Sequence, residues 1–331
     1  MQPAPEEAGT LATAHPPRWA RLLPKYALGN AADRTYAIAL GAFGLSIPVL
    51  FAFIVLRVAS AAWPSVKAFG AAFAGATEWN PVAGEFGALP FIFGTVVSSL
   101  LALLIAVPLA VGLAIFLTEL APRWLAAPIS FGTELLAAIP SVVYGLWGIF
   151  VLVPWLRTHV QVPLADSLGK AVPLFAGPAY GSSLLAGGVI LAIMVVPFVS
   201  AVSREVLAAV PVAQREAALA LGATRWEMTW QVALPYATPG IIGAVILGLG
   251  RALGETMAIT MVIGNRAEVA SSLFAPAATM ASVLANEFAE ASDDLHLAAL
   301  MEIGLLLFGI TIIVNSIARI LVWRVSLRAG K

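Results

Sequence analysis

The sequence contains very little charge and no cysteine. Only 11% of its 331 residues are charged, whereas soluble domains carry roughly 25%. So few charges cannot cover a soluble core of this size, and the mean hydropathy of +0.94 indicates an integral membrane protein. The lack of cysteine excludes disulfide frameworks and thiolate metal sites. A formal net charge of zero gives no electrostatic support for binding nucleic acid.

The sequence also lacks the motifs of an enzyme. No G-x-x-x-x-G-K-[ST] segment is present, so the chain has no P-loop with which to bind ATP. The three histidines, His15, His159 and His296, have no metal-ligand spacing, and no Ser-His-Asp arrangement is suggested. We therefore expect neither catalysis nor a cofactor or metal bound by this chain.

Long apolar runs are present instead. A membrane-spanning helix needs about 20 mostly apolar residues. Six such runs predict an all-α polytopic membrane protein, with spans at Thr35–Leu56, Phe86–Thr118, Leu135–Leu156, Ser183–Ser203, Pro239–Gly264 and Leu295–Trp323. The uncharged but polar segment Val269–Asn286 is interpreted as an outer loop, partly re-entrant. Glu134 and Glu302, near span ends, are expected to be solvated or to cap helices.

The basic residues predict the orientation. With six spans and an inner N-terminus, the inner segments hold 12 of the 18 basic residues and the outer segments hold five, which places both termini in the cytoplasm. The domain plan is then a disordered cytoplasmic tail at 1–34, a membrane domain at 35–323 and a short cytoplasmic tail at 324–331. A cytoplasmic loop at 204–235 separates the fourth and fifth spans.

This inner loop carries the most informative pattern. Its residues predict a thin Ala/Leu-rich helix, a break at Gly222 and a second amphipathic helix that Pro235 ends. Gly222 suits the position just after a helix, where φ is positive. A helical hairpin lying on the membrane surface is the simplest interpretation of these residues.

The loop also resembles the EAA loop, E-A-A-x-x-x-G-x(9)-I-x-L-P, of permease subunits in ATP-binding-cassette importers. The matching residues are Glu216, Ala217, Ala218, Gly222, Leu234 and Pro235, with Val232 in place of Ile. The resemblance implies that these residues form coupling helices that dock in a groove of a separate ATPase subunit. ATP and Mg would then be bound by that partner.

Further segments resemble one class of such permeases. Residues 86–95, 138–146 and 250–265 look like the PstC-type permease of phosphate importers, and the resemblance runs from about residue 35 to 328. It implies the type I importer permease fold, a bacterial inner-membrane location and inorganic phosphate as substrate. It also implies a second, PstA-type permease, an ATPase dimer and an extracytoplasmic phosphate-binding protein. The PstA type shares R-A-x-G-E-T but lacks the continuation from Met257 to Asn265.

Two charges lie deep in the fifth predicted span. Arg251 is about 12 residues, or roughly 18 Å, from its start, and Glu255 lies four residues on, so one helix face would carry both. An arginine at that depth costs about 2.5–3.5 kcal/mol on insertion scales. The pair either locks this span to its neighbours or lines a phosphate pathway in which Glu255 orients Arg251. Ser141 and Tyr144, next to Pro140, are weaker pathway candidates, since Pro140 equally fits a packing kink.

Other transport functions stay open at this point. A molybdate or sulfate permease would show the same inner loop. An ion-coupled secondary transporter would need charges spread over several spans and often shows internal repeats, but here the mid-span charges concentrate in one helix. A channel or a respiratory subunit has still less support, because neither a filter motif nor a haem-ligand pair is visible.

Overall fold

A computed structural model describes residues 31–329. Most of the tail predicted at 1–34 lies outside the described residues, although the first helix already begins at Ala31. The last helix continues to Ala329, through most of the segment that was assigned to a C-terminal tail. The orientation of the two ends relative to the membrane stays a prediction.

The described residues form helices joined by turns, which confirms the all-α class for this part of the chain. The helices are α1 Ala31–Phe69, α2 Leu89–Ile115, α3 Arg123–Ala138, α4 Ser141–Trp147, α5 Val153–Leu156, α6 Val162–Ser167, α7 Leu184–Ala208, α8 Val212–Ala220, α9 Arg225–Met228, α10 Leu234–Leu253, α11 Met257–Val262, α12 Met280–Glu287 and α13 Asp294–Ala329. Extended pairing within 31–329 is limited to two isolated bridges.

Six helical stretches within the described range are long and apolar enough to cross a membrane. They are Arg34–Ala74, Leu89–Leu120, Ser141–Ser167, Leu184–Ala208, Arg225–Leu253 and Asp294–Ile320. The predicted number of spans is therefore confirmed, while the bounds of the third and fifth spans differ from those predicted.

Chain contacts divide the protein at Arg57 into two compact units. The described part of the first unit is the apolar N-terminal stretch of α1. The second unit, from Val58 onwards, contains the packed core and every candidate site described below.

The core of the second unit is built on the packing of α2 against α7. Four fully buried alanines of α2, spaced by four residues, line one face of that helix: Ala102, Ala106, Ala110 and Ala114. On α7, Gly188 leaves room for Leu101, with which a Cβ at that glycine would collide. Small residues let helix backbones approach closely inside a membrane, where van der Waals packing and hydrogen bonds hold helices together.

The third span was predicted at Leu135–Leu156, and this is wrong. Helix α3 ends at Ala138, Ile139 is extended, and a separate helix begins at Ser141. The residue before a proline is driven out of the α conformation, so Pro140 ends one helix instead of kinking it. The apolar run was therefore shared between two helices, and the span is Ser141–Ser167.

The fifth predicted span, Pro239–Gly264, is also wrong. Helix α10 ends at Leu253, and α11 starts only at Met257. The chain then runs through Val269–Asn286, the segment predicted as an outer, partly re-entrant loop. Its second half is largely buried and contains most of the helix α12, and its position relative to the membrane stays a prediction. The first N–H groups of α7 need partners outside their own helix. Ser183 N donates to Val262 O at the end of α11, while Leu184 N and Leu185 N donate to Ala275 O and Leu273 O of this segment.

A second buried cluster lies beside α12 and α13. Trp79 donates from Nε1 to Glu287 Oε2 at 2.9 Å, and His296 Nε2 lies 3.0 Å from the same oxygen. Phe86 stacks on the His296 ring at 5.4 Å. Glu302 on α13 is buried, with its Oε2 atom unpartnered among the described residues, so its predicted solvated or capping role is wrong.

Candidate functional site

The inner loop folds as a helical hairpin around Gly222. This glycine has φ of +91°. Its N–H donates to Leu219 O at 3.0 Å, and the N–H of Ala223 donates to Ala218 O at 3.2 Å. The two bonds form a Schellman motif, the usual ending of a helix at a left-handed glycine. The predicted positive φ at Gly222 is confirmed.

The second arm of the hairpin starts with a capping box. The hydroxyl of Thr224 accepts from Glu227 N at 3.2 Å, and Glu227 Oε2 accepts from Thr224 N at 2.8 Å. Each residue thus satisfies a backbone donor of the other. The reversal between α8 and α9 is fixed at both ends by local bonds, so it is set by the sequence of the loop itself.

A shallow groove of about 660 Å³ lies between the two arms, lined by Gln214, Ala217, Ala218, Leu221, Gly222, Ala223, Glu227, Gln231 and Val232. Leu221 at its edge is 90% exposed, and α8 has no buried residue. Glu216 is exposed as well.

The sequence analysis predicted that Pro235 ends the second arm, and this is wrong. A wide π-helical turn at Thr229–Ala233 leads from α9 directly into α10, where Leu234 and Pro235 are the first residues. Leu234 donates its N–H to Thr229 O, five residues back. Wide turns of this kind accommodate a proline, which lacks an N–H and crowds the preceding turn. The inner loop is therefore continuous with the fifth span.

Arg215 joins the hairpin to the membrane helices. Its Nη2 atom donates to Glu119 Oε1 at 2.8 Å and to Leu207 O at 2.7 Å. The arginine side chain is 20% exposed and the glutamate side chain 6%. The sequence analysis counted Arg215 only as an inner basic residue. The available signal was Glu119, an acid at the C-terminal end of a long apolar run.

Arg251 and Glu255 do not share a helix face. Arg251 lies in the last turn of α10, whereas Glu255 lies in the break before α11. The Glu255 carboxylate accepts from Ala258 N at 3.2 Å. No described carboxylate forms an ion pair with Arg251. The predicted pair is therefore wrong, because the helix that would have aligned its members ends between them, with Gly254 at the C-cap.

The Arg251 guanidinium instead faces an aromatic ring. Its Cζ atom lies 5.9 Å from the centroid of Phe198 on α7, within cation–π range. Tyr144 on α4 is buried and donates from its hydroxyl to Leu136 O at 2.7 Å. Ser141 opens the same helix and is half-buried. Of the four predicted pathway residues, Ser141 and Tyr144 share α4, whereas Arg251 lies in α10 and Glu255 in the break after it.

Phe198 was missed by the sequence analysis. It lies within an apolar run of α7 with nothing in the sequence to distinguish it from its neighbours, and only the packing of α7 against α10 brings its ring to Arg251. The arrangement leaves Arg251, in a helix long and apolar enough to span a membrane, facing an aromatic ring and without an ion-paired carboxylate among the described residues. Such a site can bind an anion.

Comparisons with known proteins give consistent results. The family described as "Binding-protein-dependent transport system inner membrane component" matches residues 106–327. The phosphate transport system permease protein PstC of Mesorhizobium japonicum is 48% identical over 87% of this chain and 89% of its own length. That of Pasteurella multocida is 47% identical over 87% and 91%. A chain in the crystal structure of a bacterial alginate ABC transporter, complexed with its alginate-bound periplasmic protein, aligns with a TM-score of 0.58. It is 16% identical and covers 87% of this chain and 94% of its own, which shows the importer permease fold.

Proposed function

Since this chain belongs to the binding-protein-dependent transport system inner membrane components, and among them to the PstC-type permeases, we propose that it carries phosphate across the bacterial inner membrane. The observation that carries this proposal is identity of 47–48% over 87% of the chain to permeases named for phosphate transport. As a permease, the chain provides a path and binds no nucleotide.

The chain works as one part of an importer. A separate ATPase dimer supplies the energy and binds ATP with Mg, and an extracytoplasmic binding protein delivers phosphate. A second permease of the PstA type completes the membrane part. Both termini of this chain lie in the cytoplasm, on the side of the ATPase.

Arg251 is the phosphate-binding residue of the pathway. A guanidinium offers permanent positive charge and several donors in a plane, which suits a phosphate oxyanion. The lack of a described carboxylate partner leaves this charge available to an anion. Phe198 holds the guanidinium from one side, and the cation–π contact, worth about 0.5–2 kcal/mol, is weak enough to be given up when phosphate binds.

The other predicted pathway residues take supporting roles. Tyr144, held by its bond to Leu136 O, and Ser141, which opens the same helix, line the pathway. Glu255 maintains the break in the fifth span by accepting from Ala258 N. Discontinuous helices near the membrane midplane are a common way for transporters to expose polar groups to substrate.

The hairpin at 204–235 couples this path to the ATPase. Its groove, its exposed Leu221 and the exposed Glu216 form the docking surface. The direct continuation of α9 into α10 means that Arg251 shares a helical stretch with Glu227, Gln231 and Val232, the groove-lining residues of the second arm. Movement imposed on the hairpin therefore reaches the phosphate site without crossing a flexible link.

The test is labelled-phosphate uptake, measured together with the amount of assembled complex in the membrane. Hydrogen bonds to a charged group are worth about 1.5–3 kcal/mol, so Arg251→Gln should lower uptake about 10- to 150-fold at normal assembly. The matched control is Arg266→Gln, an exposed arginine paired with Glu268 at 2.9 Å, which should transport normally.

The exchanged variant, Arg251→Glu with Glu255→Arg, distinguishes a fixed binding position from a general need for positive charge. It should assemble but import little phosphate, because the cation now lies in the break and not beside Phe198. Uptake close to normal would contradict the role of Arg251.

A further inference from the structure

The coupling hairpin is attached to the membrane helices in an unusual way. Helix α8 contains no buried residue, so apolar packing does not hold it against the rest of the protein. Its described side chains make two hydrogen bonds to other helical segments, and Arg215 makes both. One side chain therefore provides the polar attachment of this arm.

The two acceptors of Arg215 belong to different parts of the core. Glu119 lies in a π-helical turn that extends the inner end of α2, and Leu207 lies in the last turn of α7. These two helices form the principal packing pair of the protein. Arg215 thus joins the coupling arm to both members of that pair at one point.

We propose that Arg215 and Glu119 act as positioning residues that transmit movement of the coupling arm to α2 and α7. This inference rests on the function proposed above. The Glu119 side chain is only 6% exposed, so pulling the arginine away would leave a buried, unpaired carboxylate, which is strongly unfavourable. The pair therefore moves as a unit when the ATPase displaces α8.

The geometry also lets the pair rotate without breaking. A single nitrogen, Nη2, makes both bonds, and the Nε donor is buried without a described partner. This donor can take a new acceptor when the arm changes its angle, which would meet the general requirement that buried donors be paired. A lysine could replace the single donating nitrogen, whereas glutamine would remove the charge.

The experiment uses the assembled complex in proteoliposomes with its binding protein. The readout is the number of phosphate ions imported per ATP hydrolysed, which a role limited to folding would not change. Arg215→Gln and Glu119→Gln should each lower this ratio about fivefold or more, with ATP hydrolysis retained. Arg215→Lys should keep a ratio close to that of the parent.

The matched control is Arg204→Gln. Arg204 forms an ion pair with Glu134 at 2.9 Å, and their side chains are 26% and 58% exposed, so the glutamate is far less buried than Glu119. This pair joins α7 to α3 and does not involve the coupling arm. Its loss should leave the ratio unchanged. An unchanged ratio in both glutamine variants would overturn the inference, as would less assembled complex with a normal ratio. A parent complex that imports no phosphate would instead refute the proposed function.

Discussion

Replacing Gly222 by alanine tests whether the hairpin must keep its shape to bind the ATPase. The glycine has φ of +91°, and a Cβ added there would meet no described atom within 4 Å apart from those of its chain neighbours. Steric overlap therefore contributes nothing, and the effect is purely one of backbone conformation. A side chain in the left-handed region costs roughly 1–2 kcal/mol. That strain drives the free hairpin towards other shapes, and ATPase binding has to reverse the change.

The expected result follows directly from this cost. A free-energy difference of 1–2 kcal/mol corresponds to a factor of about 5–30, so the Kd of the ATPase for the Gly222→Ala permease should rise by that factor. Gly222→Asn should weaken binding less, because asparagine tolerates this conformation. Gly222→Trp should weaken binding more than alanine does, since it adds bulk at the docking surface. The measurement is a titration of purified ATPase against permease in nanodiscs.

The control separates this effect from a general effect of adding a methyl group. Gly112 lies inside α2, and a Cβ there also meets nothing within 4 Å. Alanine favours helix over glycine by about 1 kcal/mol, so Gly112→Ala should not weaken ATPase binding. An unchanged Kd for Gly222→Ala would refute the claim that the hairpin docks in the conformation described above.

Three further predictions concern the fold. At Gly94, where a Cβ would collide with the carbonyl oxygen of Ala278, alanine should lower the unfolding free energy by about 1–3 kcal/mol, measured by thermal unfolding. Glu302→Gln should keep phosphate uptake and raise the Tm, because a neutral amide is easier to bury than a carboxylate. The expected rise is about 2–4 °C, which corresponds to about 1 kcal/mol, and a lower Tm would contradict this prediction. Topology reporters should indicate the outside at Val82, which is 99% exposed, and the inside at Lys331, and an outside result at Lys331 would invert the topology.

The number of spans and the coupling hairpin could be predicted from the sequence because both depend on local features. A span needs only length and apolar composition. The hairpin is fixed by Gly222 and by the capping box of Thr224 and Glu227, whose bonds connect residues three to five positions apart. No distant part of the chain is needed to specify either feature.

The break in the fifth span could not be predicted in this way. Gly254 follows Gly243, Gly248 and Gly250, and such glycines in a membrane helix usually permit close packing. What stabilises the break is Glu255, whose carboxylate accepts from the N–H of Ala258. The same residues would fit a continuous helix, so the sequence pattern alone does not distinguish the two states. The break matters for function, because a continuous helix would have aligned Arg251 with Glu255, whereas the broken one leaves the arginine without a described carboxylate partner.

The prolines show most clearly what local sequence leaves undetermined. Each of the four π-helical turns in the described residues is followed by one residue and then by a proline. The residue between the turn and the proline donates its N–H to the carbonyl five positions back. The prolines are Pro122, Pro154, Pro163 and Pro235. A wider turn relieves the crowding that a proline causes in the turn before it. Yet Pro108, Pro128, Pro197 and Pro239 lie inside helices assigned as α throughout, and Pro140 separates two helices. A proline therefore marks where a helix must adjust, but its presence alone does not determine whether the helix widens, continues or ends. At Pro235 that choice makes the coupling hairpin one helical stretch with Arg251, and a helix that ended there would have separated the two.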